Sequence, residues 1–127
     1  MDKPILLAYL AGPYRPYIDA EGRTHSIAQN VRRAGKYGIE VWRRGHVALV
    51  PHTLTYLDPQ QQRRDGGLAD IDPEVFMEGE LELVRRSDFV VMLPEWRYSR
   101  GAIAERAFAE EIGKTVLEWD EFLEGTA

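Results

Sequence analysis

The stretch 87–112 constrains the fold more than any other: an apolar run passes through a polar turn straight into an alanine-rich helix. Asp88 precedes Phe89-Val90-Val91-Met92-Leu93, the turn runs from Pro94 to Gly101, and Ala102-Ile103-Ala104-Glu105 opens the helix. A short apolar run bounded by turn residues reads as a buried strand. A strand that feeds a helix through so short a turn is half of a βαβ unit, and such units are built around parallel sheets. This geometry puts Ser99, the Gly101 amide and Glu105 at the carboxyl edge of the sheet, where open α/β folds hold ligands.

The same alternation runs through the chain. Residues 5–10 read as a first strand, ended by Ala11-Gly12-Pro13, and a loop extends from Tyr14 to about Thr24. Ser26 can cap the next helix, with Ile27, Val31, Ala34, Gly38 and Trp42 spaced to form one buried face. Gly45 ends that helix, and 46–50 forms a second strand stopped by Pro51. Residues 52–71 make a long polar connection, usually functional or disordered in a compact domain. Pro73 suits the first turn of a helix through Phe76, Leu81, Leu83 and Val84. Residues 114–119 read as a last strand, trailed by a short acidic tail. The expected fold is α/β: a single domain over 1–127, a Rossmann-like (flavodoxin-like) sandwich with a mostly parallel central sheet and helices on both faces.

Charge and composition narrow the function classes. A net charge of −5 over 127 residues argues against duplex nucleic acid as a partner, because neutralising its backbone needs clustered basic charge. With no cysteine there is neither a disulfide nor a zinc-thiolate site, and the three histidines (His25, His46 and His52) have no metal-ligand spacing. His52, after Pro51, fits a structural hydrogen bond better than a place at a pocket mouth. No apolar run approaches membrane length, and 1–4 leads into a strand without a signal-peptide pattern, so a cytoplasmic protein is expected.

Three constellations carry possible chemistry. At the end of the first strand, Gly12 permits close backbone approach to a ligand, and Arg15 offers a planar fork for phosphate or carboxylate. A strand-terminating turn with a solvated arginine has the same spacing. Glu105, in the first turns of its helix, would be held ionised by the helix dipole, as a nucleophile towards a sugar carbon must be. A charge-complementary glutamate behind a capping serine reads identically. Glu80 lies eight residues before Asp88, on the helix that feeds the same strand, where a glutamate is usually at the surface.

Together these segments resemble the nucleoside 2-deoxyribosyltransferase-like superfamily, in particular its small bacterial and phage branch of unassigned function. Tyr9 to Gly12 match the tyrosine, two small or apolar residues and glycine that end the family's first strand. Arg15 matches an arginine of its nucleotide-hydrolysing members, three residues after that glycine. Ser99, Gly101 and Glu105 match the serine, glycine-rich turn and nucleophilic glutamate, six residues from serine to glutamate. Pro94, Glu95 and Trp96 match a motif of the small branch. Glu80 stands where the family usually has an aspartate that contacts the sugar or base.

The resemblance implies cleavage of the N-glycosidic bond of a nucleoside or its 5′-monophosphate through a glycosyl-enzyme on Glu105, by hydrolysis or by transfer to another base. Tyr9 would orient that carboxylate, and Glu80 or a water would protonate the leaving base. Ser99, Arg15 and the Gly101 amide would bind the 5′-phosphate or hydroxyl, and Trp96 or Tyr14 could stack on the base. No metal or organic cofactor is required, and a homodimer or higher oligomer is implied. The alternative is a non-catalytic nucleotide-binding module on the same fold.

Overall fold

The computed structural model describes residues 3–56 and 71–126. The chain runs through β1 (Leu7–Ala11), β2 (Tyr17–Ile18), β3 (Thr24–His25), α1 (Ile27–Arg43), β4 (Val47–Leu49) and α2 (His52–Thr55). It continues through α3 (Pro73–Arg86), β5 (Phe89–Met92), a 3-10 turn (Trp96–Tyr98), α4 (Arg100–Glu111), β6 (Thr115–Glu118) and α5 (Trp119–Gly125). Four strands form one parallel sheet in the order β4-β1-β5-β6, so the α/β architecture expected from the alternation is present.

Strand alternation sorts the core into two layers. Ala8 and Leu10 of β1, with Phe89 and Val91 of β5, face Ala34 and Val41 of α1 and Phe122 of α5. Tyr9 and Ala11, with Val90 and Met92, face Val84 of α3 and Ala102 and Ala109 of α4. Successive side chains of a strand point to opposite faces, which is why one apolar run can serve both layers. The chain first adds β4 on one side of β1, then crosses to add β5 and β6 on the other. The switch falls between β1 and β5, and the crevice outside their carboxyl ends is where such sheets bind ligands.

Local chemistry sets the helix starts. Ser26 and Gln29 close a reciprocal capping box at α1. Asp72 caps α3 with Pro73 in its first turn, and the Ser99 hydroxyl accepts from the Ala102 amide at 3.0 Å to cap α4. At the other edge of the sheet, the Asp88 carboxylate accepts from the Leu7 amide at 2.7 Å and fixes the start of β1.

Four expectations change. The loop after β1 contains a small antiparallel hairpin, β2 on β3, pairing Tyr17 with His25 and Ile18 with Thr24. Trp42 is 56% exposed; the buried face of α1 is Asn30, Ala34, Gly38 and Val41. The eleven residues from Asn30 to Val41 make about three turns of 3.6, which keeps both ends on one face, whereas Trp42 is rotated about 100° further round the helix. The acidic tail is the helix α5: Glu118 and Glu121 form its capping box and Phe122 enters the core. The connection expected over 52–71 begins as α2, and its residues 57–70 lie outside the described residues. Among the described residues, no helix is long and apolar enough to cross a membrane.

Candidate functional site

Tyr9 sits in the middle of β1 and points towards the α3–α4 layer, fully buried. Its hydroxyl donates to Glu105 Oε2 across 2.5 Å, a buried contact between residues 96 positions apart. Glu105 lies in the second turn of α4 and is 4% exposed. A side-chain hydrogen bond joins Glu105 to Glu80, which α3 presents from the other side. The structure therefore gathers Tyr9, Glu80 and Glu105, from one strand and two helices, under the β1/β5 crevice.

The electrostatics reverse the expectation of an ionised Glu105. Burial pushes its carboxyl up from 4.5 to about 8; the Tyr9 hydrogen bond works against that rise, and Glu80 adds to it. The dipole acts over the first turn of a helix, whereas Glu105 sits in the second, so desolvation outweighs it. Glu80 is also raised by burial, while its hydrogen bond to Glu105 and the Arg15 charge pull it down. Two carboxyl groups in contact titrate as a pair and hold one proton between them over a broad range. Tyr9 is raised far above its ordinary 10.0, chiefly by burial and then by Glu105, so it keeps its proton and acts as a donor.

The rim is built from the loop after β1. Arg15 is exposed, and its guanidinium bears on Glu80. The loop is held from beneath by Asn30, fully buried on α1, whose Nδ2 donates to the carbonyls of Tyr14 at 3.1 Å and Arg15 at 3.0 Å. His52, 4% exposed, donates from Nε2 to the Gly12 carbonyl at 3.1 Å, the structural role expected of it. Burial lowers its basicity, so the ring stays neutral. Gly12 is required by packing: a Cβ there would stand 3.0 Å from the Cβ of Leu93. Asn30 was not singled out by sequence, although its spacing of four from Ala34 placed a polar residue on a buried face. That was the available signal.

Ser99 and Gly101 lie at the start of α4. The Ser99 oxygen is occupied as the helix cap, which leaves the hydroxyl proton to donate. Six residues along a helix place Glu105 about 9 Å from Ser99. Trp96 is held by its neighbours. Its ring is 9% exposed, Arg97 and Arg106 lie over it at 4.4 and 4.7 Å, and its Nε1 donates to Glu118 Oε1 at 3.0 Å. An indole packed against two guanidinium groups and tied to the end of β6 holds the turn in place. Glu95 turns the chain into this segment in the left-handed region, at φ +73°, an uncommon conformation for a residue with a side chain.

The sequence matches the family model described as a domain of unknown function, DUF4406, over residues 6–118. The chain belongs to the DUF4406 family. No curated protein matches it. Among solved structures, the chain is similar to a 2-deoxyribosyltransferase from the psychrotolerant bacterium Bacillus psychrosaccharolyticus, described as a biocatalyst for nucleoside synthesis. The two superpose with a TM-score of 0.53 at 17% identity, over 88% of this chain and 70% of that one. At that identity the likeness is one of fold, and it agrees with the parallel sheet and the helical layers on its two faces. This DUF4406 chain thus combines a fold like that of the transferase with a cluster of buried Tyr9 and Glu105 and half-buried Glu80 beneath its switch point.

Proposed function

We propose that the protein cleaves the N-glycosidic bond of a nucleoside or its 5′-monophosphate, with Glu105 as nucleophile. The observation that carries this reading is the buried Glu105 carboxyl with the Tyr9 donor and the half-buried Glu80 beside it, at the crevice where such sheets bind ligands. The fold shared with a 2-deoxyribosyltransferase supports the substrate class. A coupled carboxyl pair with one proton is equipped for displacement at a sugar carbon: one member attacks and the other delivers the proton.

The steps follow from the pair. As positive charge develops at the anomeric carbon, Glu105 becomes the anion and its proton passes across the hydrogen bond to Glu80. The Glu105 carboxylate bonds to the anomeric carbon while the carbon–nitrogen bond breaks, and the bonding pair leaves with the base. Glu80 gives its proton to that base. The resulting Glu80 carboxylate then takes a proton from water as the water oxygen displaces Glu105, releasing the sugar. In transfer, the nitrogen of a second base attacks in place of water. Tyr9 donates throughout to the Glu105 oxygen that does not attack. Arg15, the Ser99 hydroxyl and the Gly101 amide bind the 5′-phosphate or hydroxyl, and Tyr14 at the rim is an aromatic that can meet the base.

A nucleotide-binding module without turnover is favoured by one observation: a Glu105 carboxyl raised to about 8 is largely protonated in the empty site. Incubation with a panel of ribo- and deoxyribonucleosides and their monophosphates separates the readings by chromatography. Free base from at least one member, lost in Glu105→Gln, is expected of the enzyme. A ligand that raises the melting temperature and is recovered intact identifies the binder.

A further inference from the structure

The β2–β3 hairpin and α1 border an open groove of ≈ 400 Å³, separate from the carboxylate pair. Arg23, His25, Gln29, Arg32, Arg33 and Lys36 line it. In a chain of net charge −5, four Lys or Arg side chains around one groove are a local reversal of sign. Gln29, Arg32, Arg33 and Lys36 stand at helical spacings of three and four, so α1 presents them along one side. The volume lies within the range of about 300–1,000 Å³ usual for small-molecule sites.

The cations differ in what already holds them. Arg33 is fixed in place, donating to Tyr17 Oη at 3.2 Å and Asn30 Oδ1 at 3.3 Å and meeting His25 Nδ1 at 2.8 Å. Arg23, at the rim, pairs with Asp19 at 3.3 Å and Glu21 at 3.4 Å. Arg32 and Lys36 are exposed, and among the described residues neither has a carboxylate within ion-pair distance. Like charges four residues apart on a helix repel, so this face is disfavoured when empty and relieved by an anion. One oriented guanidinium beside exposed cations suits a chain of phosphates, with a geometric fork at one phosphate and point charges at the next.

We propose that this groove is a binding site for a linear oligophosphate, free or as the tail of a nucleotide. It is distinct from the site of the proposed glycosidic chemistry and does not depend on it. Duplex nucleic acid would need a longer basic track than one hairpin and two helical turns supply.

Titration calorimetry of the full chain with sodium tripolyphosphate, and in parallel with a nucleoside triphosphate, tests the assignment. With tripolyphosphate one site is expected, weakened by added salt and weakened at least about tenfold in Arg32→Ala/Lys36→Ala, since both lost cations contact phosphate; for the nucleotide, the component lost in that double variant is the one compared. Glu105→Gln should bind as the wild type does. Tighter binding of the nucleotide than of tripolyphosphate marks the nucleotide as the source, and equal binding marks the free oligophosphate. Backbone amide shifts on the unaltered protein should centre on Thr24, His25 and Gln29, a readout that needs no variant to fold. Absence of binding, undiminished binding in the double variant, or shifts centred on Arg15 and Ser99 would overturn the proposal. So would a single-stranded oligonucleotide that displaces tripolyphosphate and shifts residues beyond the groove.

Discussion

Glu105 is where sequence chemistry and folded environment pull apart. Its carboxyl is raised from 4.5 to about 8, chiefly by burial, so the folded state binds its proton more tightly than the unfolded chain does. Stability from this group is therefore complete below about 4.5 and is lost as pH rises towards about 8. Glu105→Gln, a neutral isostere, should flatten that decline and exceed the wild type in melting temperature at pH 8. Thermal unfolding across pH 4–9 checks this, and parallel curves for the two proteins would exclude the buried-proton assignment. Tyr9→Phe removes the donor that favours the Glu105 anion. It should move the acidic limb of the pH–rate profile upward and cost about 10²–10³ in kcat, as losing one preorganised donor does.

Elements set these residues in place. Asn30 joins α1 to the loop that carries Tyr14 and Arg15, and it is buried with both its amide protons on backbone carbonyls. Asn30→Ala should cost about 1–3 kcal/mol, the range for losing a buried side chain's hydrogen bonds and leaving its partners unpaired. If Arg15 binds phosphate, KM for a nucleoside monophosphate should rise more than KM for the nucleoside. Denaturant unfolding and paired kinetics check the two parts. The approach of Tyr9 to Glu105 was legible through the family resemblance carried by Tyr9–Gly12 and Ser99–Glu105, since no local period joins residues 96 positions apart. The protonation of Glu105 was not, because it depends on α3 and β1 closing around it, and no local pattern reports that. The setting of Trp96 was not legible for the same reason: its neighbours Arg106 and Glu118 come from other elements. The β2–β3 hairpin, with two-residue strands, is too short to show a period.

Across the whole molecule, a parallel sheet was implied by apolar runs alternating with helices; its order β4-β1-β5-β6, whose switch point defines the crevice, is fixed by pairings between strands far apart in sequence. Helix α5 escaped because Glu118, Asp120 and Glu121 read as an acidic tail, although acidic residues in a first helical turn complement the helix dipole. Phe122 ties that helix to the core beside Phe89, with ring centroids 6.1 Å apart. Phe122→Ala should cost about 3–5 kcal/mol in denaturant unfolding, as for other buried phenylalanines. A cost below about 1 kcal/mol would mean the helix is dispensable to the fold.

The most direct test of Glu105 as nucleophile is to trap the covalent intermediate. Once a substrate is found that releases base, the 2-fluoro sugar analogue of that substrate should label the protein. Intact mass spectrometry should show one pentosyl unit added per chain, peptide mapping should place it on Glu105, and Glu105→Gln should remain unlabelled. Base release with no adduct, or an adduct on another residue, would contradict the assignment.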